Sequence, residues 1–122
     1  MRIPKQALLL RIFIGENDRA DGRPLYEALV LKARETGLAG ATVLRGPMGF
    51  GRSSVLHTAK ILRLSEDLPI VIEFVDAKDR IEAFLEAIEP IMGSGLVTLE
   101  KVQVLRYGES DPDTPVPGGG NE

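Results

Sequence analysis

Residues Gly46 to Ser54 read Gly-Pro-Met-Gly-Phe-Gly-Arg-Ser-Ser, three glycines and an arginine placed directly behind the short apolar run Ala41-Thr42-Val43-Leu44. Without a Cβ, glycine lets neighbouring backbone N–H groups converge, so such a loop can wrap an anion. The guanidinium of Arg52 adds a planar fork of donors that suits the same oxygens. The chemistry implied is phosphate binding. A hairpin tip whose glycines only serve the turn is the plainer alternative, and Arg52 tips the balance toward an anion.

Other chemistry finds less support. Gly46-x-x-x-x-Gly51-Arg52-Ser53 has the spacing of a Walker A loop with arginine for lysine, and Ile70 to Asp76 imitates the apolar strand of a Walker B. A true P-loop joins the first strand of a parallel sheet to a helix and places its lysine on the β- and γ-phosphates. This loop instead follows a helix, in a chain with too few elements for a doubly wound sheet, so a nucleotide hydrolase is not expected. His57 is the only histidine, and no Gly-x-Ser-x-Gly elbow is present to hold a nucleophile for it. It has no carboxylate near it in sequence before Glu66 and Asp67, so a solvated loop histidine is expected rather than a metal ligand. No catalytic residue and no metal ligand are assigned. The acidic stretch Glu16, Asp18, Asp21 and Glu27, interleaved with Arg19 and Arg23, reads as a solvated connection into a helix. Lys60, Arg63, Lys101 and Arg106 are surface charge or line a cleft onto which the glycine loop opens.

The elements that must position the loop follow from periodicity. Ala7 to Ile14 is a strand apolar on both faces, broken by Gly15-Glu16-Asn17-Asp18. Pro24 suits the first turn of a helix over about 24–36, with Leu25, Ala28, Leu29 and Ala33 on one side and Gly37 at its end. Ala41 to Arg45 is a second strand and Pro69 to Val75 a third. The segment Ser53 to Leu64 between them fits a short helix or a strand continuing a hairpin. Asp76 and Asp79 offer N-cap oxygens to a second helix in which Ile81, Phe84, Leu85, Ile88 and Met92 recur at helical spacing, with Gly93 as the stop. Leu96 to Tyr107 closes the domain as a long strand, with a bulge expected near Glu100. The order β-α-β-β-α-β is the ferredoxin-like α+β arrangement, in which both helices cover one face of a four-stranded antiparallel sheet. Leu9, Phe13, Val71 and Val75 alternate with Leu10, Ile12, Ile70 and Ile72, so whichever set the helices cover, the other is too apolar for water. A homo-oligomer packed through its sheets is expected.

Composition bounds the rest. The chain of 122 residues is 43% hydrophobic but only 5% aromatic, with no tryptophan and no cysteine. One domain over 1–108 and a cytoplasmic setting fit these figures. The N-terminus is too polar for a signal peptide, and no apolar run approaches a membrane span. The net charge is −3, and the last fourteen residues carry four acids and no base. The remainder is thus close to neutral, without the basic stripe of a nucleic-acid binder. Residues 109–122, with Pro112, Pro115, Pro117 and Gly118 to Gly120, form an acidic Pro/Gly tail with nothing to bury, expected to be disordered and passive.

Several motifs then agree in order with one family. Ile14-Gly15-Glu16-Asn17-Asp18, Gly22-x-Pro24-Leu25-Tyr26-Glu27, Arg45-Gly46-x-Met48-Gly49-Phe50-Gly51, His57, and Leu64-Ser65-x-Asp67-Leu68-Pro69-Ile70-Val71 resemble the family called domain of unknown function 190, a branch of the PII-like proteins, over residues 7–108. The resemblance implies a ferredoxin-like protomer assembled as a homotrimer. It also implies a loop, the T-loop of PII proteins, projecting between the second and third strands beside ligand clefts between subunits. Gly49-Phe50-Gly51-Arg52 is similar to the PII motif at the base of that loop, where adenine nucleotides bind. With Gly46, these are the candidate nucleotide-binding residues. PII proteins have a longer glycine- and lysine-bearing turn after the second helix that grips the outer phosphates, whereas here Met92-Gly93-Ser94-Gly95 occupies that place. The departure favours AMP over ATP. What the resemblance implies is a non-enzymatic cytoplasmic sensor without a resident cofactor. It would regulate a partner, such as a membrane transporter or an enzyme, through its T-loop. Two other readings stay open on the same fold: an enzyme for a small substrate using His57, and a metal-binding protein.

Overall fold

The computed structural model describes residues 3–49, 57–58 and 67–108. Strand β1 (Gln6–Gly15) leads through a small ladder, β2 (Arg19–Ala20) with β3 (Arg23–Pro24), into helix α1 (Leu25–Glu35). Strand β4 (Thr42–Arg45) follows, then the short pair β5 (Met48–Gly49) and β6 (His57–Thr58). Strand β7 (Pro69–Asp76), helix α2 (Lys78–Ile88) with a 3-10 turn over Glu89–Ile91, and strand β8 (Leu96–Gln103) complete the order. The main sheet runs β4-β7-β1-β8, with every neighbouring pair antiparallel. This is the expected ferredoxin-like α+β topology, with the longest strand, β1, in the interior.

Alternation gives the strands two apolar sets, and packing against the helices decides which of them is covered. Leu10, Ile12, Ile14, Ile70, Ile72 and Phe74 are buried, and they meet Leu25, Leu29 and Ala33 of α1 and Ile81, Phe84 and Ile88 of α2. The rings of Phe74 and Phe84 lie 4.8 Å apart at 53°, the tilted contact that aromatic quadrupoles prefer. The other set, Leu9, Phe13, Val71 and Val75, stays half-exposed on the uncovered face.

Helix α1 ends in a Schellman motif: Leu38 N–H donates to the carbonyl of Ala33 at 3.0 Å and Gly37 N–H to that of Arg34 at 3.2 Å. Gly37 supplies the required left-handed residue at φ +83°. The closing turn sends the chain to β4 through Leu38 to Ala41. There the buried carboxylate of Asp76 accepts the Ala39 N–H at 2.9 Å, as well as the Ala77 N–H at 2.7 Å. Asp76 thereby clamps the α1–β4 connection to the corner between β7 and α2, instead of capping α2 as the sequence implied. Arg80 reinforces the corner, donating to the Gly37 carbonyl at 3.0 Å and approaching Asp76 at 3.8 Å.

Four expectations are corrected. Strand β8 pairs with β1 without interruption from Gln6↔Gln103 to Phe13↔Leu96, so no bulge occurs at Glu100. Val97 and Leu99 lie on the helix side and Val102 on the other because both faces of this margin are apolar, and β8 ends at Gln103 rather than at Tyr107. Helix α2 stops at Ile88 because Pro90 lacks the N–H a continuing turn needs, and Met92 follows the 3-10 turn. The stretch after β1 holds the β2–β3 ladder, turning through Asp21 at φ +50° and Gly22, where a plain connection was expected.

Candidate functional site

The glycine-rich loop leaves the sheet from the end of β4, beside the start of β7. Gly46 donates its N–H to the Pro69 carbonyl at 2.8 Å, extending the β4–β7 ladder by one bond. Arg45 forms an ion pair with Glu16, and Glu16 in turn donates its N–H to the Leu68 carbonyl at 2.8 Å. Asp67 accepts the Asn17 N–H at 2.8 Å. The exits of β1 and β4 and the entry to β7 are therefore tied together at one end of the sheet, a fixed base from which the chain continues into β5. Met48 pairs with Thr58 and Gly49 with His57, so the hairpin alternative for this stretch holds at those positions.

At the other end of β4 lies a groove of about 440 Å³. One wall is Ala39 to Thr42, the connection that Asp76 clamps; the opposite side is Val104, Arg106 and Tyr107, the segment after β8. Glu73 and Val75 of β7 line the groove, with Ile3 beside them. Two bonds set this shape: Val104 N–H donates to the Lys5 carbonyl at 2.7 Å, and the Tyr107 hydroxyl donates to the Ala39 carbonyl at 3.3 Å. Because Thr42 is paired with Glu73 on the uncovered side of the sheet, the groove opens on the face that the helices leave bare. A groove with aliphatic walls, one carboxylate and one guanidinium suits a small amphipathic ligand carrying both a donor and an anion.

On that same face Arg11 lies between two carboxylates. Its Nε donates to Glu73 Oε2 at 2.8 Å and its Nη1 to Glu100 Oε1 at 3.1 Å, spanning β7, β1 and β8. The hydrogen bond to Glu73, helped by the charges of Glu73 and Glu100, raises the guanidinium pKa further above its ordinary value. Among the described residues no group of three or more histidines and carboxylates could hold a metal ion, and no helix is long and apolar enough to cross a membrane.

Residues 7–104 match the model of the family DUF190, described as Uncharacterized ACR. The chain belongs to this family. Among DUF190 relatives, a UPF0166 protein of Aquifex aeolicus is 41% identical over 105 residues, covering 86% of this chain and 98% of that protein. A UPF0166 protein of Methanocaldococcus jannaschii is 32% identical, covering 83% of this chain and 94% of the relative. In fold, the chain is similar to CPII from Thiomonas intermedia, solved bound to ADP and bicarbonate, with a TM-score of 0.60 and 21% identity over 83% of this chain and 90% of that one. A putative PII-like signalling protein from Thermus thermophilus gives a TM-score of 0.58 with 17% identity, covering 85% of this chain and 93% of the other. The DUF190 chain thus has the PII-like fold.

Of the residues that the sequence singled out, the structure places Gly46 at the loop base and Gly49 in β5, while Phe50, Gly51 and Arg52 lie outside the described residues, as do Lys60 and Arg63. Gly46 spends its amide on Pro69, so among the loop residues the amides offered to a ligand would come from farther along. The strand β6 includes His57, whose side chain is also outside the description. Arg106 lines the groove, and Lys101 sits on β8 opposite Leu8, on the other side of the sheet. The groove and the loop base are separated by the length of β4, roughly 13 Å at strand rise. Sequence reasoning missed Glu73, Tyr107 and the Ala39–Thr42 wall. Glu73 carried a legible signal, a lone acid inside the apolar run Pro69 to Val75 on a strand shared by both faces.

Proposed function

We propose that this DUF190 protein is a non-enzymatic PII-like sensor that assembles as a homotrimer through its uncovered sheet faces and binds an adenine nucleotide in the clefts so formed. The observation that carries the reading is the groove on the uncovered face, on the strand that leads into the glycine-rich loop. A neighbouring copy packed against Leu9, Phe13, Val71 and Val75 would turn the open groove into an enclosed cleft. The nucleotide-bound CPII structures, one with ADP and bicarbonate and another with ADP, AMP and bicarbonate, support the ligand class. Gly49, Phe50, Gly51 and Arg52, entered through Gly46, form the phosphate end. AMP is favoured over ATP because the connection Met92 to Gly95 is short and carries no cation for outer phosphates.

The loop reports occupancy to a cytoplasmic partner, a transporter or an enzyme, by taking one conformation with ligand and another without; this requires different affinities of the ligand for the two loop states. Residues 1–108 are the working unit and the tail is dispensable. Calorimetric titration of the purified protein with AMP, ADP and ATP tests the reading directly. Arg52→Ala should weaken AMP by about tenfold, the loss of one charge-assisted contact; an unchanged affinity would remove Arg52 from the site. Nucleotides incubated with the protein should be recovered intact, and a product whose appearance depends on His57 would replace the sensor with an enzyme.

A further inference from the structure

The groove wall contributed by Glu73 is held from behind. Arg11 stands directly opposite Glu73 across the β1–β7 pair, and Glu100, facing Leu9 rather than Arg11, reaches it diagonally from β8. Arg11 therefore binds Glu73 through Nε while its Nη1 is anchored at Glu100. A guanidinium engaged at two of its edges has little freedom to swing, and the carboxylate it holds inherits that restriction. The recorded bond uses Oε2 of Glu73, and that side chain is 31% exposed where it lines the groove. Around this row stand Leu9, Phe13, Val71 and Val75, an apolar frame in which ion pairs gain strength once water is removed.

We infer that Arg11 is a positioning residue for the groove: braced by Glu100, it fixes the Glu73 carboxylate as an acceptor for hydroxyl or N–H donors of the bound ligand. The inference rests on the nucleotide reading and deepens it by assigning the ligand's orientation. The neutral, donor-bearing part of the nucleotide lies against Glu73, and its anionic part is turned away from that carboxylate. An ion pair of purely structural use would also resist removal, but it would not make the ligand's affinity depend on Arg11 only through Glu73.

A double-mutant cycle separates the two. AMP is titrated calorimetrically into wild type, Arg11→Gln, Glu73→Gln and the double variant, each checked by thermal melting and sedimentation. Glu73→Gln should weaken AMP by about tenfold and Arg11→Gln by about fivefold, and the double variant should be no weaker than Glu73→Gln alone. Arg11→Lys should recover part of the loss by keeping one bond to Glu73. Glu100→Gln, which leaves the Arg11–Glu73 pair in place, should cost about twofold and nothing in the Glu73→Gln background, and it substitutes for Arg11→Gln if that variant fails to fold. Additive losses, or an Arg11→Gln protein with wild-type affinity, would overturn the positioning role while leaving the nucleotide reading standing. A wild-type protein that takes up neither AMP nor ADP would end the nucleotide reading itself, and this inference with it.

Discussion

The two faces of the sheet are written in alternate residues of the same strands, and they have been put to different uses. On the covered face the interior strands present Leu10, Ile12, Ile14, Ile70, Ile72 and Phe74, all buried under two helices, with Asp76 at the far corner as the only buried charged residue among those described. On the bare face Leu9, Phe13, Val71 and Val75 are nearly as apolar, yet a row of charge, Glu73, Arg11 and Glu100, runs through their midst and leads to a groove. Apolarity alone therefore does not mark which face is the core. A face that only had to be buried would have no use for three charged side chains across three adjacent strands, whereas a face that must recognise both a copy of itself and a small ligand would.

The sharpest way to break this contrast is to truncate matching aromatics. Phe84→Ala should cost about 3–5 kcal/mol in chemical denaturation, because the cavity opens inside the packed layer against Phe74. Phe13→Ala should cost much less in dilute protein, with a penalty that grows with protein concentration; a concentration-independent loss as large as that of Phe84→Ala would make the bare face part of the core. Next comes Asp76→Ala, expected to remove about 2–3 kcal/mol because two backbone N–H groups lose their acceptor and Arg80 its counter-charge. Gly95→Ala should cost about 1–3 kcal/mol. Its φ is +132°, and an added Cβ would sit 3.0 Å from the Phe13 carbonyl oxygen and 3.1 Å from Ile14 Cγ2, where β8 starts against β1. At the small end, Lys78→Ala breaks a solvent-facing pair with Glu82 that belongs to neither face, and its unfolding midpoint should match that of wild type.

The same contrast explains what was legible in the sequence. Four main strands, two helices and their order could be read because Gly15, Gly37, Pro69 and Gly93 punctuate clear periodicities. The choice of covered face could not, since both alternating sets are aliphatic and only the packing of Leu29, Ile81 and Phe84 decides between them. That double apolarity also created the spurious bulge: a change of inward residues along β8 looked like a shift of register when it was only a strand with two greasy sides. Two misses were avoidable, namely the Asp21-Gly22 turn between Arg19-Ala20 and Arg23-Pro24, and Pro90 within the run read as helix. The groove was hidden for a different reason. Its lining comes from Ile3, Ala39 to Thr42, β7 and the segment after β8, stretches that only the antiparallel topology brings together. The glycine loop, by contrast, was local and could be seen in one window.

One clamp has a practical corollary. Since Asp76 grips Ala39 from the corner where β7 meets α2, the groove wall is fastened to a fully buried point of the folded protomer. On heating at a protein concentration that keeps the copies assembled, the capacity to take up ligand should vanish together with the tertiary circular-dichroism signal and not at some lower temperature, so a fluorescent ligand would serve as a thermometer of the folded assembly.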